Sequence, residues 1–233
     1  MFIALVAWAS ARPAFACGVS GADGAWSCSL EEHEESERPR WTLGAAGMTT
    51  WTKLKFDDLR ASQRRNAVVV TAGYAPMRRL TIQVSAGAGF AGELRAPNGT
   101  HEFSPGPTGA AGVVYTLVEG RPFVAVSGVA SASYATTQLD GRGESVNYSA
   151  LDLRLGLIAG TTVFDILSPY LVARAFGGPV WWRYEGEPQT GTDTSHFQIG
   201  AGITLRPIEA LAVYIEGIPL GERALSGGAS VAF

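Results

Sequence analysis

Long apolar runs are missing from this chain, and that absence decides more than any motif in it. No segment approaches the roughly 18 to 20 consecutive apolar residues a spanning helix needs, so a helical membrane protein is excluded. Charge is scarce as well. Only 17% of residues are charged and the formal net charge is -3, which provides neither a basic field for nucleic acid nor the charge density of a disordered chain. There are two cysteines without CxxC spacing and three histidines, so no metal site and no cofactor is expected. The 233 residues are enough for one domain.

What the chain has instead is glycine, 29 residues of it, and alternation. The clearest case runs from Tyr148 to Trp182. Leu151, Leu153, Leu155 and Leu157 share one face of an extended segment, while Asp152, Arg154 and Gly156 share the other. The chain then returns through Pro169 to Trp182 and brings Arg174 opposite or diagonal to Asp152 and Arg154. Leucine and alanine are outside and charge is inside, the inverse of a soluble protein. Among membrane-spanning structures only a closed barrel tolerates that arrangement. The mean hydropathy of +0.11 fits, because lipid-facing and lumen-facing residues alternate one for one. A soluble β-sandwich also alternates, but it would partition into buffer without detergent.

Residues 1–16 read as an export signal, a short apolar segment ending in Ala14-Phe15-Ala16, although no Lys or Arg precedes the apolar core. Residues 17–39 then form a short periplasmic segment. Within it Cys17 and Cys28 flank a glycine-rich loop and suggest a disulfide, with lipid modification of Cys17 as the rival. The acidic stretch Glu32-His33-Glu34-Glu35 reads as a solvated face, since nothing fixes ligand geometry for a cation.

From residue 40 to the end the chain reads as an all-β, up-and-down antiparallel transmembrane barrel of about ten strands, within a range of eight to twelve. Ten residues at about 3.3 Å, tilted about 40°, span roughly 25 Å, the height of an apolar band between aromatic girdles. Trp41, Trp51, Phe90, Tyr134, Tyr170 and Trp182 are placed at such heights and are the expected girdle. Connections alternate between short, as at Pro76 to Arg79, Glu119 to Pro122, Phe164 to Ser168 and Pro207 to Ala210, and mostly longer and polar, as at Lys53 to Arg64, Arg95 to Pro107, Asp140 to Ser145 and Arg183 to Asp193. Both termini then lie on the periplasmic side.

The last stretch, Leu225 to Phe233, alternates and ends on an aromatic carboxyl-terminal residue. It resembles the assembly signal of bacterial outer-membrane β-barrel proteins. The resemblance implies an outer-membrane location in a Gram-negative bacterium, recognition of Phe233 by barrel-assembly machinery, outer-membrane lipid around a monomer, and no functional residues to carry over.

Two motifs point elsewhere. Gly87, Gly89 and Gly92 satisfy G-x-G-x-x-G but sit in an alternating strand with no helix behind them, so no phosphate cradle can form. Asp57-Asp58 and Asp193 with His196 resemble, loosely, the acid and Asp-His pairs of the omptin outer-membrane proteases. Here the two acids are adjacent, the chain is shorter and the Asp-His spacing differs, so no catalytic residue is assigned and no enzyme is expected. The lumen is more informative. Asp152, Arg154, Arg174, Glu216 and Gln198 form its expected charge cluster, among mostly small lumen-facing residues such as Thr71, Ser85 and Gly87, with Gln83 beside them. Such a lumen is either a narrow pore or ligand-accommodating barrel open to small solutes, or a plugged barrel that acts through its outer loops.

Overall fold

Extended backbone inside a bilayer needs a hydrogen-bonding neighbour on both sides of every strand, so a chain of alternating strands has to close on itself. The computed structural model describes residues 14–21, 24–31, 41–57, 59–140, 144–208 and 210–233, with side chains described from Trp41 onward. Most of the expected export signal, the acidic stretch from Glu32 and Asp58 lie outside them. Ala14–Gly21 (β1) and Gly24–Glu31 (β2) pair antiparallel as a separate hairpin whose register sets Cys17 opposite Cys28.

The closed sheet contains Trp41–Phe56 (β3), Leu59–Met77 (β4), Leu80–Ala96 (β5), Gly99–Phe103 (β6), Gly106–Val118 (β7), Phe123–Leu139 (β8), Val146–Gly160 (β9) and Leu167–Gly177 (β10). It continues with Val180–Tyr184 (β11), Glu187–Asp193 (β12), Phe197–Ile208 (β13), Leu211–Gly221 (β14) and Arg223–Ala232 (β15). The ring closes where β15 pairs antiparallel with β3, from Arg223 opposite Trp51 to Ala232 opposite Thr42. Thirteen segments exceed the eight to twelve expected from the sequence. The surplus arises because three staves are interrupted: β6 runs on into β7, β10 into β11, and β12 into β13, which leaves ten staves around the lower ring.

Several expected loops are strand. Lys53 to Arg64 forms the ends of β3 and β4, paired as far as Phe56 opposite Leu59, and Arg183 to Asp193 lies mostly in β11 and β12. The reason is visible in the alternation. Leu54, Phe56, Ala61, Leu94 and Phe103 keep an apolar inner face beyond the girdle while the intervening charged residues face water, so the sheet continues. In this outer part the β14–β15 hairpin has ended, and β12 pairs directly with β3, Gly191 opposite Phe56 and Asp193 opposite Leu54. The wall there consists of β3, β4, β5, β6, β8, β9, β11 and β12. The barrel narrows from ten staves to eight. Eight strands enclose only enough space for their own side chains.

The exterior is apolar through the band, with Leu43, Val68, Val70, Val84, Leu153, Leu155, Leu171, Ile215 and Leu225 all exposed. Trp41, Trp51, Phe90 and Tyr134 flank it as exposed girdle residues. Tyr170 and Trp182 do not, being only 3% and 2% exposed. Arg174 faces the lumen, and residues at even spacing from it share its face, which turns Tyr170 and Trp182 inward and leaves Trp181 on the outside. The three glycines of the G-x-G-x-x-G pattern lie in β5, where Gly87 has the Val68 carbonyl 2.0 Å from where a Cβ would stand. They admit a neighbouring strand and leave no room for a phosphate.

Glycine also makes space inside. A Cβ on Gly202 would stand 2.3 Å from the Tyr170 ring, whereas one on Gly217 would meet nothing within 4 Å. We expect Gly202→Ala to cost about 1–3 kcal/mol in urea unfolding from lipid vesicles, and Gly217→Ala to stay within about 0.5 kcal/mol of the parent. Equal midpoints for the two variants would contradict this packing.

Candidate functional site

Alternation sends one residue in two into the lumen, and in a closed ring those side chains meet partners from other staves. The five residues of the expected charge cluster all point inward, but they form two groups. In the first, Arg174 on β10 donates from Nη2 to Glu216 Oε1 on β14 at 2.7 Å and from Nη1 to Gln198 Oε1 on β13 at 3.4 Å. Tyr170 Oη donates to the other carboxylate oxygen of Glu216 at 3.1 Å. The Arg174 and Glu216 side chains are 1% and 0% exposed. Register sets Arg174 opposite Gly156, and a Cβ there would lie 3.3 Å from Arg174 Cγ. Glycine makes room for the guanidinium stem.

In the second group Arg154 on β9 donates from Nε to Asp152 Oδ2 and from Nη2 to Glu222 Oε2 at 3.2 Å. Its guanidinium carbon lies 4.9 Å from the Phe176 ring centroid. Glu222 stands at the β14–β15 turn, after Gly221 at φ 84°. It was missed because that turn read as loop, although Ala224 and Ser226 on the same face are buried. Arg65 was missed too. It shares a face with Ala67, Val69 and Thr71, and its Nη1 donates to Ser133 Oγ on β8 at 2.7 Å.

Apolar layers bracket these groups. On one side Phe123, Ala125, Ile158, Tyr170 and Val172 pack along β8 to β10. At the outer end Leu54, Phe56, Leu94, Phe103, Tyr148, Val180 and Trp182 fill the eight-stranded part. Phe56 and Trp182 lie 5.7 Å apart between ring centroids, and Phe103 meets Tyr148 edge-on at 4.9 Å. Tyr148 Oη on β9 donates to Gln63 Oε1 on β4 at 2.7 Å. In the eight-stave order these two strands face each other across the ring.

His101 is packed into this cap, with Nε2 3.0 Å from Asn98 Oδ1 and its ring edge-on to Trp182 at 4.8 Å. Burial lowers its pKa from the ordinary 6.5, against a smaller raising effect of Asp140. The residues of the weaker catalytic reading are dispersed in role. Asp193 accepts from Thr52 Oγ1 at 2.8 Å at the β12–β3 seam, His196 lies in the exposed linker to β13, and Asp57 lies in the β3–β4 turn. Among the described residues no group of three His, Cys, Asp or Glu could hold a metal.

Two outcomes follow from this geometry. Glu216→Ala leaves Arg174 buried without its anion and should cost about 3–5 kcal/mol, whereas Arg174→Met with Glu216→Leu should recover most of that loss. A single variant as stable as the parent would contradict the pairing. For His101 the unfolded chain takes up a proton below about pH 6.5 while the folded cap resists it. Cap stability is therefore complete above that pH and falls as pH drops, and His101→Gln should flatten the slope in hydrogen exchange of the Leu94 and Tyr148 amides.

No protein-family model matches the chain and no curated protein matches its sequence. Solved structures do match. The outer membrane protease OmpT from Escherichia coli superimposes with a TM-score of 0.57 over 87% of this chain and 99% of that one, at 8% identity. The transport unit of the autotransporter AIDA-I from Escherichia coli gives 0.48 over 86% and 92%, at 14% identity. The translocator domain of the autotransporter NalP from Neisseria meningitidis gives 0.49 over 85% and 90%, at 10% identity. At such identities the likeness carries the architecture and no chemistry. With its closed antiparallel ring, apolar belt and polar interior, the chain has the fold of the bacterial outer-membrane β-barrels.

Proposed function

We propose that this outer-membrane barrel is sealed along its lumen and acts through the surface it presents outside, the rim of the eight-stranded extension and its connecting turns. The observation that carries this reading is the Tyr148 to Gln63 hydrogen bond, which spans the ring inside a layer of buried aromatic residues. A path for ions would have to pass that layer. The buried pairs of Arg174 with Glu216 and of Arg154 with Glu222 then tie staves together below it, a structural use of charge in a lumen. Lipid surrounds the barrel, and the strand ending at Phe233 is what assembly machinery would read.

A narrow gated path for small solutes is the second reading. A chamber of about 60 Å³, bordered by the polar Thr50, Gln63, Arg65 and Ser133 and by the apolar Met48, Leu54 and Val180, lies beneath the aromatic layer. It is large enough for water and would become continuous with the outside if the cap opened.

Current across a planar bilayer distinguishes the two. The refolded full-length protein should insert and stay silent, and Tyr148→Ala with Trp182→Ala should open small ohmic steps by removing the layer. Steady conductance of the unaltered protein would sink the sealed-lumen reading and favour the gated path.

A further inference from the structure

The outer wall has a feature that the lumen does not explain. Just beyond the girdle, where the β14–β15 hairpin ends, is a concave pocket of about 380 Å³, lined by outward-facing residues of β3, β4, β5 and β15 and, at its inner edge, by Thr52, Gln63 and Glu222. Trp51 is among its lining residues, and its cations are Lys53, Arg64, Arg95 and Arg223. Register fixes their arrangement: Arg223 stands opposite Trp51, Trp51 opposite Arg64, and one rung further out Lys53 stands beside Ser62, which faces Arg95. Opposing charge is nearly spent. Glu93 stands opposite Arg64 in register, but its carboxylate is engaged with Arg95 at 2.8 Å, and Glu222 turns inward to Arg154. Lys53, Arg64 and Arg223 form no ion pair among the described residues. Further out, Lys55 lies directly opposite Arg60, a like-charge pairing that is unfavourable in a sheet unless an anion relieves it.

Directly below, within the apolar band, the same staves carry a groove of about 530 Å³. Gly47 on β3 faces Gly227 on β15, and Val68, Phe90, Ile215 and Leu225 rim the depression. A Cβ on Gly47 would meet nothing within 4 Å. The hydrogen bond from Thr49 to Asn66, 2.8 Å, marks the boundary between the groove and the basic pocket. Pocket and groove thus stack along the membrane normal in the order of an anionic headgroup over an acyl chain.

We propose that this face binds one phosphorylated lipid of the outer leaflet, its phosphate on Arg64, Arg223 and Lys53 and one acyl chain in the Gly47–Gly227 groove. Arginine recognises phosphate through charge-assisted, forked hydrogen bonds, and girdle height is where lipid headgroups lie. The inference rests on the barrel standing in the outer membrane and is independent of whether its lumen conducts.

Native mass spectrometry of the full-length protein refolded in detergent tests it, with diphosphoryl lipid A and its dephosphorylated form as probes. One diphosphoryl lipid A should be retained per barrel. Arg64→Gln with Arg223→Gln should weaken retention roughly tenfold or more, and Gly47→Leu, which fills the groove and keeps every charge, should weaken it as well. Heat-modifiable mobility in SDS gels identifies folded variants, and Lys53→Gln replaces any that misfold. Equal retention of the dephosphorylated probe by the unaltered protein would overturn the proposal, as would variants that bind like the parent. Displacement of the lipid by millimolar inorganic phosphate would also overturn it, by showing a free-anion site.

Discussion

Everything in this barrel depends on one closure. Backbone groups cannot be left open in hydrocarbon, and the first and last staves satisfy them by pairing along the whole of β15, with the Trp41 and Phe233 backbones exchanging hydrogen bonds at 3.2 and 3.0 Å at the end. Once the ring exists, alternation divides the side chains into a lipid face and a lumen face. Ring size then decides what the lumen can hold.

The change of ring size is the consequential event. Ten staves leave room for full-length arginines, carboxylates and a tyrosine to meet in the interior, which is where Arg174, Glu216, Gln198 and Tyr170 are found. Eight staves do not, and there Phe56, Leu94, Tyr148 and Trp182 pack as an ordinary hydrophobic core. The transition occurs because the β14–β15 hairpin turns at Gly221 while β3 and β4 continue to Phe56 and Leu59. The extended strands therefore carry both the buried aromatic layer and the basic exterior beyond the girdle. Fold and surface chemistry have the same origin.

Much of this was legible in the sequence because a period of two records which face each residue takes. Arg174, Glu216, Asp152, Arg154 and Gln198 could be placed inside from alternation alone, and the terminal strand ending at Phe233 could be placed next to the first. Tyr170 and Trp182 follow that same parity inward, because their even spacing from Arg174 outweighs the preference of tryptophan and tyrosine for interfaces. The outer strands were harder to read. Lys53 to Arg64 is rich in charge and looks like a loop, and only the inward set of Leu54, Phe56, Ala61 and Gln63 reveals it as sheet. The β12 to β3 seam left no local signal. It pairs residues such as Gly191 and Phe56, far apart in the chain, and is fixed by the length of a hairpin elsewhere in the ring. The division of the charge cluster into two groups depends on that geometry as well, because Glu222 reaches Arg154 only when the β14–β15 turn stands at its level.

The central claim is that the polar interior is closed to the outside. It is tested most directly by a membrane-impermeant thiol reagent applied to both sides of lipid vesicles holding the full-length protein, with Cys17 and Cys28 replaced by serine and Thr71→Cys introduced in the lumen, where Thr71 is 7% exposed. The account predicts that this cysteine stays unmodified in the folded barrel and reacts at once after urea unfolding. Rapid modification in the folded state would show that water reaches the interior from at least one mouth and contradict a lumen sealed along its length.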